Sequence, residues 1–247
     1  MHGAGPMAVS GSLCVENQVF SRKHHIIKGH IMSFSTMENS VSVWEVLARA
    51  KREVISSSDI ADLSRRINRK PEHVIRHLRR EGYLLPLFRG YYYVRSPSEI
   101  CLGEERRNPL ELFALAAEAK SIGGWYFGLH TALRLNRMTH ESILEEDVIS
   151  DSMYRIRGVP IGTRKFIVHR WAPELVSFGL LETAPYRFSD PEKTVLDLAY
   201  LDYWRRTKGR AANLAWRAHI DGVDMKRLKR YVDHYPDSVR GAVEAVI

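Results

Sequence analysis

Between residues 73 and 80, four side chains able to meet an anion recur at helical spacing: His73, Arg76, His77 and Arg80. They stand at i, i+3, i+4 and i+7, which on an α-helix makes one continuous polar stripe with basic character. Further on comes Arg89-Gly90, flanked by two apolar and aromatic runs. Arginines displayed in this way grip phosphates or donate to guanine edges, and a major groove about 12 Å wide admits one helix. The chemistry on offer is recognition of a polyanion. The same residues also fit a blander role, in which Arg76 and Arg80 are a solvated helix face on a domain used for protein contacts.

The distribution of charge points the same way. The chain has 247 residues, with 37 Lys and Arg against 29 Asp and Glu, a formal net charge of +8. Residues 49–95 hold twelve basic and five acidic side chains, so nearly all of the excess lies in this stretch. Residues 101–247 hold 22 basic and 20 acidic side chains. Such balance fits a protein contact or a ligand better than a second nucleic-acid surface.

Acid–base or nucleophilic chemistry has candidates but no constellation. His130, His140, Glu141, His169, Asp190, Glu192 and Asp197 are the side chains that could serve. There is no glycine-rich phosphate loop ending in Lys-Ser/Thr, no H-E-x-x-H and no G-x-S-x-G. A nuclease of the Asp…Glu-x-Lys type needs its Glu-x-Lys on a strand, and Glu118-Ala119-Lys120 sits in a segment that reads as helix. His130 reads as a packed or capping histidine; Asp190, Glu192 and Asp197 read as helix capping and surface charge. The expectation is a protein that is not an enzyme and carries no cofactor and no metal. Cys14 and Cys101 match no metal spacing, and His24, His25 and His30 lack an acidic or thiol partner. Two distant cysteines fit a reducing cytoplasm. No run of 18 apolar residues exists to span a membrane, and the N-terminal segment lacks the continuous apolar region of a signal peptide.

These side chains must be held by regular elements. The length suffices for one large domain or two small ones. Residues 1–38 mix Gly, Ser, Met and His without periodicity and read as a disordered tail. Residues 41–52 read as a helix burying Val43, Val46, Leu47 and Ala50. Residues 56–67 read as a second helix, with Ser56 and Asp59 at capping-box spacing. After a turn at Asn68-Arg69-Lys70, residues 71–81 read as a third, opened by Pro71 and closed by Gly82. Residues 83–94 read as a β-hairpin turning at Arg89-Gly90, with Pro86 limiting its strand to a sheet edge. Three helices followed by such a hairpin have the layout of a winged helix-turn-helix, expected over residues 39–96.

Pro97-Ser98 reads as a linker into a second domain over residues 97–247. There, residues 109–120 and 125–137 read as helices, with Gly128 and Ala132 allowing close helix packing. Strand character follows at 147–150, 165–170 and 186–188, with turn signals at Gly158-Val159-Pro160 and Ala172-Pro173. Residues 189–204 read as a helix capped by Ser189 or Asp190, and residues 210–247 as two more. The expected class is α+β: a winged helix-turn-helix followed by a mixed α/β domain.

The order of these segments carries a resemblance. A basic winged helix ending in RGYYYV is followed by GGWYFGLHTALRLNRMTH, then TRKFIVHRW, then YRFSDPEKTVLDLAYL. Over roughly residues 41–205 this resembles the AbiEi family, the antitoxin half of bicistronic AbiE-type toxin–antitoxin modules. The resemblance implies an N-terminal winged helix that binds the operon's own promoter as double-stranded DNA. A palindromic operator would require two copies, which need pair only on DNA. The resemblance also implies a C-terminal antitoxin domain that counters a nucleotidyltransferase-like toxin. The implied DNA contacts fall on Arg69, Lys70, His73, Arg76, His77, Arg80 and the wing residue Arg89. Two other readings stay open. One is a stand-alone transcription regulator with a ligand-sensing C-terminal domain. The other is an enzyme, such as a nuclease, that carries a DNA-targeting domain.

Overall fold

The computed structural model describes residues 43–50, 52–141, 144–209 and 214–247, so the expected tail over 1–38 lies outside the described residues. The chain is α+β and divides into two compact units. The first runs to Pro86 and takes in Tyr92–Arg106, and the second comprises Leu87–Tyr91 and Arg107–Ile247.

In the first unit, helical residues 43–49 (α1) lead to strand β1 (Val54–Ser56), α2 (Ser57–Arg66), α3 (Pro71–Arg80), β2 (Leu84–Pro86), β3 (Tyr91–Val94) and α4 (Pro97–Leu102). The strands form one sheet in the order β1-β3-β2, which completes a winged helix-turn-helix and leaves Pro86 on an edge strand, where its missing N–H costs no ladder bond. Ser56 and Asp59 form the expected capping box at the start of α2. The end of α3 is a Schellman motif. Gly82 takes φ +78°, its N–H bonds to Arg79 O, and the Tyr83 N–H bonds to Leu78 O.

The core gathers Val43, Trp44, Leu47, Ile55, Ile60, Val74, Leu78, Leu84 and Val94. The expected burial of Val46 and Ala50 is corrected: both are exposed, Val46 to 52%, and Trp44 is buried beside Val43 and Leu47. Trp44 donates its indole N–H to Arg95 O at 2.9 Å, and its ring lies 4.7 Å from that of Tyr83. That partner for the indole turns α1 away from the purely aliphatic face. The expected linker at Pro97-Ser98 is corrected too. Ser96 caps α4, and Glu99 accepts hydrogen bonds from Ser96, the Tyr93 hydroxyl and the Arg106 N–H.

The second unit is built on a six-stranded mixed sheet in the order β6-β7-β5-β4-β9-β8. Its strands are β4 (Trp125–Phe127), β5 (Glu145–Ser150), β6 (Arg155–Ile161), β7 (Arg164–Arg170), β8 (Leu180–Thr183) and β9 (Tyr186–Ser189). The expected helix over 125–137 is corrected to strand β4 followed by the short helix α6 (Leu129–Leu135). Gly128 caps α6, and a Cβ there would lie 2.7 Å from Ile149 Cγ1, so the glycine serves a close approach to β5 rather than helix packing. The expected turn at Gly158-Val159-Pro160 is a bulged part of β6, where Gly158 takes φ +76°.

Alternation along β4 assigns the two layers. Trp125 and Phe127 meet Phe113 of α5 (Pro109–Ala119), which also stacks on Phe166 at 4.9 Å. Tyr126 faces the opposite layer, formed by α6, α7 (Pro191–Thr207), α8 (Met225–Tyr231) and α9 (Asp237–Glu244).

Candidate nucleic-acid interface

The direction of each α3 side chain follows from which residues the core takes. Val74, His77 and Leu78 are buried, and Glu72, His73, Arg76, Arg79 and Arg80 are exposed. At about 100° per residue, Glu72, Arg76 and Arg79 lie within roughly 35° of the outward direction, whereas His73 and Arg80 lie roughly 70–90° to one side. The outward stripe is therefore 72, 76 and 79, rotated from the expected 73, 76, 77 and 80. An open groove of ≈ 620 Å³ lies between α3 and the hairpin, with Glu72, Ile75, Arg76, Arg79, Arg80 and Tyr92 among its walls.

The sequence-derived residues divide as follows. Arg69 is half-buried, while Lys70, His73, Arg76, Arg80 and Arg89 are exposed. Arg80 is engaged: its Nε donates to Glu81 Oε1 at 2.9 Å and its Nη2 lies 3.2 Å from His77 Nδ1. Arg76 and Arg79 make no ion pair among the described residues, unlike Arg65, which is paired with Asp62, and Arg52, which is 3.7 Å from Asp59. Arg89 sits in the hairpin turn Leu87–Tyr91, which belongs to the second unit, where the Phe88 ring packs edge-on against Phe113 at 5.3 Å.

His77 is the correction. It is 4% exposed, faces the core and is not on the surface stripe. Burial lowers its pKa, opposed by Glu81, so the ring is held towards its neutral form. When Nδ1 accepts from Arg80, the proton sits on Nε2, which is buried without a partner. Arg79 is the residue that the pattern missed. Its signal was present, because positions 72, 76 and 79 follow from the i, i+4, i+7 rule once the inward residues are known.

In the second unit, two of the candidate histidines meet on one carboxylate. His130 Nδ1 lies 3.0 Å from Asp147 Oδ2, and His169 Nε2 lies 3.1 Å from Asp147 Oδ1. Burial alone would raise the pKa of Asp147, but the hydrogen bonds from both imidazoles prevail and bring it down to about 2. The hydrogen bond to Asp147 in turn raises that of His130. Next to them, Glu146 is buried and accepts from Thr131 and Arg134.

The segment SDPEKTVLD holds a further correction. Asp190 does cap α7, accepting from the Lys193 N–H. Glu192 and Asp197 are not surface charges. Glu192 is buried and accepts from the Asp224 N–H. Asp197 is fully buried and accepts from the hydroxyls of Tyr126 at 2.8 Å and Tyr235 at 2.6 Å, and from Lys193 at 3.1 Å. Lys193 Nζ also donates to Leu175 O and Tyr235, so its three protons are all used, and it stands 4.2 Å from the Phe178 ring centre. Burial drives Lys193 down and Asp197 up, each opposed by the other's charge. A lysine with every proton committed and no exposure is a structural group. Glu118-Ala119-Lys120 lies at the end of helix α5, as read. His140 and Glu141 are exposed, and Glu141 acts on His130 through its charge, which adds to the raised pKa of that ring.

No family model matches the chain, and no curated protein matches it. Among solved structures it is similar to the crystal structure of the RV2827C protein from Mycobacterium tuberculosis. The two share 16% identity and a TM-score of 0.53, over 82% of this chain and 73% of that one. At that identity the likeness is one of fold. Among the described residues, no helix is long and apolar enough to cross a membrane.

Proposed function

We propose that the protein is a DNA-binding transcriptional repressor and antitoxin of the AbiE type, which acts in the cytoplasm on its own promoter and counters a nucleotidyltransferase-like toxin. The observation that carries the DNA half is the outward face of α3, where Arg76 and Arg79 are exposed and make no ion pair among the described residues. A guanidinium that no internal carboxylate engages retains its full capacity for a phosphate or a base edge. Lys70 and Arg80 flank it and add charge for the backbone. The antitoxin half rests on the ordered likeness of the segments from RGYYYV to YRFSDPEKTVLDLAYL to the AbiEi family.

The first experiment is a mobility shift with duplex DNA from upstream of the reading frame. Arg76→Ala/Arg79→Ala should abolish the shift while the melting curve stays that of the wild type. Affinity should fall steeply with salt, by about 0.9 decades per decade of salt for each neutralised phosphate. Unchanged affinity in the double variant would remove the reading. For the antitoxin half, co-expression with the product of the neighbouring reading frame should relieve growth arrest by that product. A neighbour unrelated to nucleotidyltransferases would favour the stand-alone regulator instead.

A further inference from the structure

The outward stripe of α3 has a composition that phosphate binding alone does not account for. A surface built only to hold a phosphate backbone gains nothing from a carboxylate at its centre, because the two repel. Yet Glu72 stands on the same outward line as Arg76 and Arg79, one turn from Arg76, exposed and in no ion pair among the described residues. Its place in the first turn suits the helix dipole, which accounts for an acid near this helix end but not for its alignment with two uncommitted arginines.

Base edges account for all three. In the major groove a carboxylate accepts from the N4 amino group of cytosine, and an arginine fork donates to O6 and N7 of guanine. From residue 72 to residue 79 the helix rises about 10 Å, which spans about three base steps of 3.4 Å. The side chains at 73 and 80, turned to one flank, suit the phosphates bordering the groove, and Arg80 is already braced by Glu81.

We propose that Glu72, Arg76 and Arg79 are the base-reading set of α3, and that the preferred duplex carries G·C pairs at the positions they meet. Arg76 and Arg79 donate to guanines, and Glu72 accepts from a cytosine. This rests on the DNA-binding reading above and assigns roles within it. Lysine cannot replace the arginines, because a single ammonium lacks the two-pronged fork that fits guanine.

The test is selection from a randomised duplex library by the full chain, run on the wild type and on Glu72→Gln, Arg79→Lys and Arg80→Lys. The wild type should select at least two G·C pairs within about four base steps, and replacing a selected guanine should weaken binding about 10- to 100-fold. Arg79→Lys should erase the preference at one position, and Glu72→Gln should relax the cytosine at a neighbouring one. Arg80→Lys should keep the selected sequence. Selection of A·T-rich sites, or wild-type profiles from both Glu72→Gln and Arg79→Lys, would overturn the assignment while leaving DNA binding intact. A wild type that retains no duplex would overturn the DNA-binding reading itself.

Discussion

The outward face of α3 and the core of the second unit treat charge in opposite ways. On α3, Arg76 and Arg79 face solvent and make no ion pair among the described residues. In the second unit, Glu146, Asp147, Asp190, Glu192, Lys193 and Asp197 are buried or nearly so, and each is hydrogen-bonded. The contrast separates charge that remains available to a partner from charge consumed in holding the fold. Burying an ion is tolerable only with full compensation, so a buried ionic network signals architecture. An exposed cation costs nothing to leave open, and it keeps its affinity for an external anion.

The sharpest way to break this contrast is to strip one member from the buried pair. Lys193→Met should destabilise the chain by about 3–5 kcal/mol, because Asp197 then keeps a buried charge with only tyrosine donors. Urea unfolding measures this, and a loss below about 1 kcal/mol would mean that the network is not structural. Lys193→Met/Asp197→Leu should recover most of the loss, since removing both ions also removes the desolvation cost.

A smaller effect is expected at the histidine-bridged carboxylate. The folded-state pKa of Asp147, about 2, lies below its ordinary 3.8. The stabilisation is therefore full above the ordinary value and lost as pH falls through the folded one, and it amounts to about 2 kcal/mol at neutral pH. His130 runs the other way. Its pKa is raised from 6.5, so its share is present below that value and fades as pH rises through the raised one. Asp147→Asn should thus cost most between about pH 4 and pH 6.5, and the gap to wild type should close in strong acid. Melting curves across pH that run parallel for the two proteins would contradict the bridge.

The smallest effect probes a buried group on the inward side of α3. His77 is buried like the charged groups of the second unit, but its Nε2 has no partner. His77→Leu should stabilise the chain by about 1 kcal/mol, because an unsatisfied N–H is removed and Arg80 keeps Glu81. A destabilised variant would mean that the histidine contributes packing or a hydrogen bond that leucine cannot replace.

Much of the first unit was legible because its signals are local. The capping box at Ser56 and Asp59, Pro71 at the first position of α3, and Gly82 beyond its end each act within a few residues. The second unit misled where burial is two-sided. Trp125, Tyr126 and Phe127 are all buried because helices cover both faces of the sheet, so no polar alternation marks the strand. At the candidate site, Arg76 and Arg80 were read correctly as exposed, whereas His77 and Arg79 exchanged places. Both are polar, and periodicity alone cannot say which polar residue turns inward.

The sequence by itself determined where the basic charge lies and where α2 and α3 begin and end. These depend on composition and on contacts a few residues apart. Only the tertiary structure decided that α3 is rotated to present Glu72, Arg76 and Arg79. Only it brought His130 and His169 to Asp147, and closed Tyr126 and Tyr235 around Lys193 and Asp197. Those outcomes depend on which groups the core accepts, and partners up to 71 residues apart in the chain are chosen by packing rather than by spacing.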